Sequence, residues 1–202
     1  MLSKSLDIRR KPGFTLIEIS VSVAVIGFLF LVFEQFFIAD YRIYQRNKDR
    51  FDIHDQTITA FNYLTPEIRS ATSVESCTAN SLTIYYLKGS LLNPPQKITY
   101  SLDENSQTLN RYLIDPVGSS PTVTYPEDNA ELKTISTFVS NSEEQPIFTY
   151  FDSSNNELAS PCDINLVRMV EINLRHRNNS SRYPFDALDT SKAQFRNLKD
   201  NL

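Results

Sequence analysis

The chain has 202 residues, enough for one modest domain plus a long helix but not for two full domains. Its 20 Lys+Arg against 24 Asp+Glu give a net charge of −4, which argues against bulk nucleic-acid binding while leaving room for a local basic patch. Its four glycines stand at 13, 27, 89 and 118 and form neither a Walker loop nor a Gly-x-Ser-x-Gly elbow; two histidines and two distant cysteines make no zinc-spaced set.

In chain order, a short polar leader containing Lys4, Arg9, Arg10 and Lys11 comes first, then Lys11-Pro12-Gly13-Phe14-Thr15-Leu16-Ile17-Glu18. The run Phe14 to Phe33 is twenty residues long and carries one charge, Glu18. About 20 residues at 1.5 Å each cross the roughly 30 Å hydrocarbon core of a bilayer. The basic end predicts a cytoplasmic start and an exported remainder. A cleaved secretory signal peptide is the first alternative, but the run exceeds the h-region of about 7–15 residues and no small-x-small site follows it. An uncleaved signal anchor is the stronger alternative, yet it leaves Glu18 unexplained. An unpaired carboxylate costs about 2.5–3.5 kcal/mol at the centre of a spanning helix and less near the interface. Glu18 therefore calls for a partner, which the rest of the span does not offer.

The block Gly13-Phe14-Thr15-Leu16-Ile17-Glu18, behind a basic leader and ahead of an apolar helix, resembles the processing site of type IV prepilins and type II secretion pseudopilins. The resemblance implies cutting between Gly13 and Phe14 by a prepilin peptidase on the cytoplasmic face, with N-methylation of Phe14. It implies that Glu18 pairs with the terminal amine of a neighbouring subunit during assembly. The other implied partners are further pilins or pseudopilins and an inner-membrane assembly platform with its ATPase. The product would be a single-pass inner-membrane protein whose exported head enters a cell-surface or periplasmic filament. The leader holds four of the basic residues and one acid, Asp7, so the cut chain carries 16 basic against 23 acidic residues.

The expected organisation is a leader at 1–13, a membrane-spanning or filament-core helix at 14–33, an amphipathic helix at 34–73 and a β-rich head at 74–202. Phe51, Ile58, Phe61, Leu64, Ile68 and Ala71 recur at helical spacing and predict one packed stripe, with Asp52, Asp55, Gln56, Thr59 and Asn62 between them. One helix from about Thr15 to about Ala71 would be about 85 Å long. Tyr41, Arg42, Tyr44, Arg46, Lys48 and Arg50 form an aromatic and basic collar of the kind found at membrane interfaces. Pro66 predicts a mild kink, or a restart capped by Thr65. Gly27 suits close helix packing in lipid. The family often pairs such a glycine with a proline eight residues on. Gln35 stands there instead, which tilts the resemblance toward a minor pilin or pseudopilin.

Beyond Ser73 the pattern changes to period two. Leu82, Ile84 and Tyr86 predict a strand, Asn93-Pro94-Pro95 a break, and Ile98, Tyr100 and Leu102 a second strand. Asp103-Glu104-Asn105-Ser106 predicts a turn into a return strand, Leu109 to Ile114. Asp115 to Asp128 reads as a surface loop, Leu132 to Val139 and Ile147 to Phe151 as strands, and Asp152 to Asn156 as a turn. A last strand is expected from near Leu166, with Val170, Ile172 and Leu174 facing inward. Helix first and strands after predict an α+β fold, a long N-terminal helix packed on an antiparallel sheet. Leu64 with Ile68 to Ala71, Phe148 to Asp152 with Val170 to Leu174, and Gln194 to Leu198 resemble pieces of larger minor pilins and J-class pseudopilins. On that resemblance, 178–189 is a polar excursion between strands.

Cys77 and Cys162 form a disulfide in an oxidising compartment or remain separate buried thiols. His54, near the packed stripe, is expected to be partly buried or at an interface; His176, ending a strand between two arginines, to be solvated. Glu127-Asp128-Asn129 is a solvated acidic turn or a calcium site. The overlapping glycosylation-type sequons in Asn178-Asn179-Ser180-Ser181 carry no weight in a bacterial-type system. Arg175, Arg177 and Arg182 form a solvated strand end or a contact for DNA or a partner. Nothing calls for a metal or cofactor, and no enzyme site is visible. Two functions of different class result: a structural filament subunit, or a tethered module whose head binds DNA, a surface or an exported substrate. An anchored exported enzyme is a weaker third.

Overall fold

The protein was analysed as a computed structural model that describes residues 13–87, 94–118, 122–178, 185–196 and 198, with backbone alone at Asp49, Asn178 and Phe185. The basic leader, Gly89, Asn93, Asn179 to Arg182 and Asn197 lie outside the described residues. Two units divide the chain, Met1–Lys48 and Asp49–Leu202. A single helix, α1, runs Leu16–Ser70. Its residues up to Lys48 belong to the first unit, where the apolar side chains from Phe14 to Phe37 are exposed. By length and composition α1 is a candidate membrane span. The expected restart at Pro66 is not found: α1 continues through it and ends four residues later.

In the second unit α1 packs on strands, and the stripe it buries differs from the expected one. Ile53, Thr57, Ala60, Leu64 and Ile68 are buried, whereas Phe51 is 71% and Ile58 44% exposed. Spacings of four, three, four and four still describe one helical face. Ranking positions by bulk displaced the stripe, because Thr57 and Ala60 are small. Thr57 can be buried because its hydroxyl donates to the Ile53 carbonyl oxygen at 3.0 Å. The same displacement leaves His54 exposed, so of the two expected placements, partly buried or at an interface, the first does not hold.

Among the described residues nine strands follow: β1 (Ala71–Cys77), β2 (Ser81–Tyr86), β3 (Gln96–Asp103), β4 (Thr108–Ile114), β5 (Glu131–Thr137), β6 (Phe148–Phe151), β7 (Glu157–Leu158), β8 (Met169–Asn178) and β9 (Phe185–Gln194). They form two antiparallel sheets rather than one, ordered β1-β2-β3-β4-β5 and β7-β6-β8-β9. The α+β layout is as expected: the long helix is packed onto antiparallel sheets. The β3–β4 turn closes where Asp103 Oδ1 accepts from the N–H groups of Asn105 and Ser106, at 3.0 and 3.3 Å. Gln107 then adopts φ +53°.

Three strands were not expected: β1, β9 and the two-residue β7, which pairs with β6. β1 follows α1 without a loop, and its buried residues are Ala71, Val74 and Cys77. Register irregularities between Ala71 and Ser73 and between Val74 and Ser76 turn its period from two to three, which hides it from an alternation search. β9 replaces part of the polar excursion expected at 178–189. It pairs with β8 from Asn178↔Phe185 to Met169↔Gln194. As an edge strand it buries only Ala193 among its described side chains, and its remaining sequence is largely polar. β8 begins at Met169 rather than near Leu166, which sits in a turn and is 52% exposed. β5 ends at Thr137 because Phe138 takes φ +58°.

One core joins the three layers. It includes Ala60, Leu64 and Ile68 from α1, Leu82, Ile84, Ile98, Tyr100 and Leu109 from the first sheet, and Phe148, Tyr150, Val170, Ile172 and Leu174 from the second. Tyr150 satisfies its buried hydroxyl on the carbonyl oxygens of Thr78 and Ser81, at 2.8 and 3.2 Å, which ties the second sheet to the turn before β2.

Candidate functional site: the helix start and the pins of the head

Gly13, Phe14 and Glu18 lie together at the start of α1, all exposed. A side chain at Gly13 would meet nothing within 4 Å. Thr15 precedes the first helical residue, and its carbonyl oxygen accepts the first helical bond, from Ile19 N–H at 3.2 Å. Its hydroxyl accepts from Glu18 N–H at 3.3 Å. Glu18 Oε2 accepts in return from the Thr15 N–H at 2.9 Å and from the Thr15 hydroxyl at 3.0 Å. This is a capping box: each side chain serves a backbone donor that the helix start leaves unpaired. It corrects the expectation that the span offers Glu18 no partner. Thr15 partners it by hydrogen bonds, although the charge is not neutralised. The Thr-x-x-Glu spacing was visible in the sequence and was the signal missed. Further along, Ser20 and Ser22 satisfy their hydroxyls on the carbonyl oxygens of Ile17 and Glu18, at 2.9 and 2.7 Å.

Three polar pins hold the head. Cys77, at the end of β1, and Cys162, in the segment before β8, are joined in a disulfide with Cα atoms 5.5 Å apart. Cys162 N–H also donates to the Cys77 carbonyl oxygen at 3.0 Å. The bond therefore clamps the first sheet to the segment that joins β7 and β8 of the second.

The second pin is an ion pair that sequence reasoning missed. Glu67 on α1 accepts two bonds from Arg111 on β4, Nη2 to Oε1 at 2.7 Å and Nε to Oε2 at 3.0 Å. Their side chains are only 10% and 12% exposed. The Tyr100 hydroxyl donates to the same carboxylate. Burial works against the Arg111 charge, but Glu67 overrides it and holds the guanidinium more firmly protonated. Burial and the neighbouring carboxylate push the Tyr100 phenol well above its usual range. Arg111 alternates with Leu109 and Leu113 along β4, a pattern that would have placed it toward the core.

The third pin is His176, which corrects the expectation of a solvated ring: it is 0% exposed. Its Nε2 lies 2.7 Å from Ser136 Oγ on β5 and its Nδ1 3.4 Å from Thr57 Oγ1 on α1. Two flanking arginines suggested a wet strand end. Instead, the alternation of β8 turns His176 to the face of Leu174 and Ile172.

Arg175 is bound by Asp186, at 2.6 and 2.9 Å, and also donates to Gln145 Oε1. Arg177 lies 3.9 Å from the same carboxylate. Asp186 thus offsets much of the basic cluster expected at Arg175, Arg177 and Arg182. Glu127–Asn129 forms a short 3-10 helix with no buried residue. Among the described residues, no group of three or more His, Cys, Asp or Glu is placed to hold a metal ion.

No protein-family model matches the chain, and no curated protein matches it. The functional reading therefore rests on the chain's own residues.

Proposed function

We propose that the chain is a structural subunit of a type IV pilus-like or secretion filament, a minor pilin or pseudopilin. A prepilin peptidase removes the residues up to Gly13 and methylates Phe14. The apolar part of α1 anchors the subunit in the inner membrane and then packs laterally among sibling helices. The β-rich head lies on the exported side, and the assembly platform with its ATPase drives incorporation. The observation that carries this reading is Glu18: a single carboxylate, the fifth residue after the proposed cut, in an otherwise uncharged apolar run.

The capping box supports the reading. Oε2 takes both bonds from Thr15, and among the described residues no donor reaches Oε1. A subunit awaiting assembly can hold its carboxylate this way, and the amine of a neighbour can then approach the other oxygen. An opposite charge beside an ionised group in lipid offsets part of its cost, and the more so when the group's remaining oxygen is already hydrogen-bonded. Glu18→Ala tests the assignment. Membrane insertion is expected to be unchanged and incorporation into filaments to be lost, as read by shearing and immunoblotting. Normal incorporation of the variant would contradict it.

A further inference from the structure

His176 stands where three elements meet. The ring comes from β8 in the second sheet, Ser136 from β5 at the edge of the first, and Thr57 from α1. Two backbone bonds among the described residues join the segment after β5 to β8 here, Arg177 N–H to the Phe138 carbonyl oxygen at 3.1 Å and Ser140 N–H to the Arg175 carbonyl oxygen at 2.8 Å, and together they make the bridge between Val139 and His176. Gln56 Oε1 extends the junction by accepting from the Thr137 N–H at 2.8 Å and from its hydroxyl at 2.7 Å.

The hydroxyl proton of Thr57 is committed to the Ile53 carbonyl oxygen, so its oxygen faces Nδ1 as an acceptor. Nδ1 then carries the ring proton, and Ser136 Oγ donates to Nε2. A second proton on Nε2 would force the Ser136 hydroxyl to turn and would place a full charge at a site closed to solvent. The charged groups around the ring do little to offset that charge. Asp55 on α1 is exposed, as are Glu131 and Lys133 on β5. Arg175 and Arg177 lie on the opposite face of β8, with Asp186 committed to Arg175. Among the described residues, Asp189 on β9, opposite Leu174, is the carboxylate that favours the charged ring, and burial outweighs it.

We propose that His176 is an acid-sensitive latch, which holds α1, β5 and β8 together while its ring is neutral and releases their junction when the ring takes up a proton. The direction follows from linkage. Burial lowers the ring's affinity for a proton in the folded head, so the unfolded or opened state binds protons first. The latch contributes in full above about pH 6.5, the usual histidine value, and weakens as pH falls toward the lowered value of the folded head.

The full-length chain in detergent micelles, with its histidines carbon-13 labelled, tests the latch. The chain has only two histidines, and the exposed His54 can be replaced by Asn to leave one imidazole signal. Amide exchange is followed in parallel from pH 8 to 4.5 and corrected for its intrinsic pH dependence. The expected result is a rise in opening at residues 53–60, 133–140 and 172–177, approaching about tenfold per pH unit below pH 6.5. Its midpoint should coincide with titration of the ring, residues 82–84 and 98–100 should stay unchanged, and the rise should vanish in His176→Gln. Titration of the ring without a rise in exchange would overturn the proposal, as would an equal rise in His176→Gln. If that variant fails to fold, the coincidence or separation of the two midpoints in the chain that retains His176 still decides.

Discussion

At the residue scale, two side chains do work that their neighbours cannot take over. Thr15 closes the start of α1 with its hydroxyl and holds Glu18 with three bonds. Replacing an N-cap Thr by Ala costs about 0.5–2 kcal/mol. Thr15→Ala is therefore expected to raise amide exchange at residues 16–19 several-fold, and Thr15→Ser to leave it near the original level. Arg111 answers a carboxylate that is itself nearly buried. Removing one member of such a pair typically destabilises by about 3–5 kcal/mol, because the other charge is left stranded. Arg111→Ala should lower the denaturation midpoint of the head well below that of the double variant Arg111→Met with Glu67→Leu, in which no charge remains to strand. Equal midpoints for the two would contradict the assignment of the cost to stranded charge.

At the element scale, the two sheets are held together at separated seams. Tyr150 and the Cys77–Cys162 disulfide make one, and the His176 junction makes the other. A crosslink between residues 85 apart is worth about 4–5 kcal/mol in the chain-entropy model. Reduction, or the Cys77→Ser, Cys162→Ser double variant, is expected to lower the stability of the head by up to that amount. Denaturant titration with and without reductant checks this, and an unchanged midpoint would show that the clamp contributes nothing.

Elements also show where the sequence was legible. β3 and β8 alternate, with Ile98, Tyr100, Val170, Ile172 and Leu174 buried as spacing predicts, while Leu82, Ile84 and Leu109 are also buried although β2 and β4 each bury three residues in a row. β1 was hidden because its irregularities give it a period of three, and β9 because a polar edge strand has no alternation to read. The helical stripe was displaced because close approach selects the small Thr57 and Ala60 over the larger Phe51 and Ile58. His176 was misjudged from its charged neighbours in sequence, which alternation sends to the other face. The bridge between the cysteines depends on a chain reversal that no local pattern encodes.

At the scale of the whole molecule, one helix carries two surface patterns. Its first part is exposed and apolar over a length sufficient to cross a membrane. Its last turns carry a single buried stripe, as a helix packed on sheets must. Glu18 near its start is the one charge between Phe14 and Phe33, and the proposed filament role makes that charge useful. The claim beneath this role is that the chain is cut between Gly13 and Phe14. Mass spectrometry of the amino-terminal peptide, from cells with an active prepilin peptidase, tests it most directly. The account predicts a peptide that begins with N-methylated Phe14, and a chain recovered with its first thirteen residues still attached would contradict it.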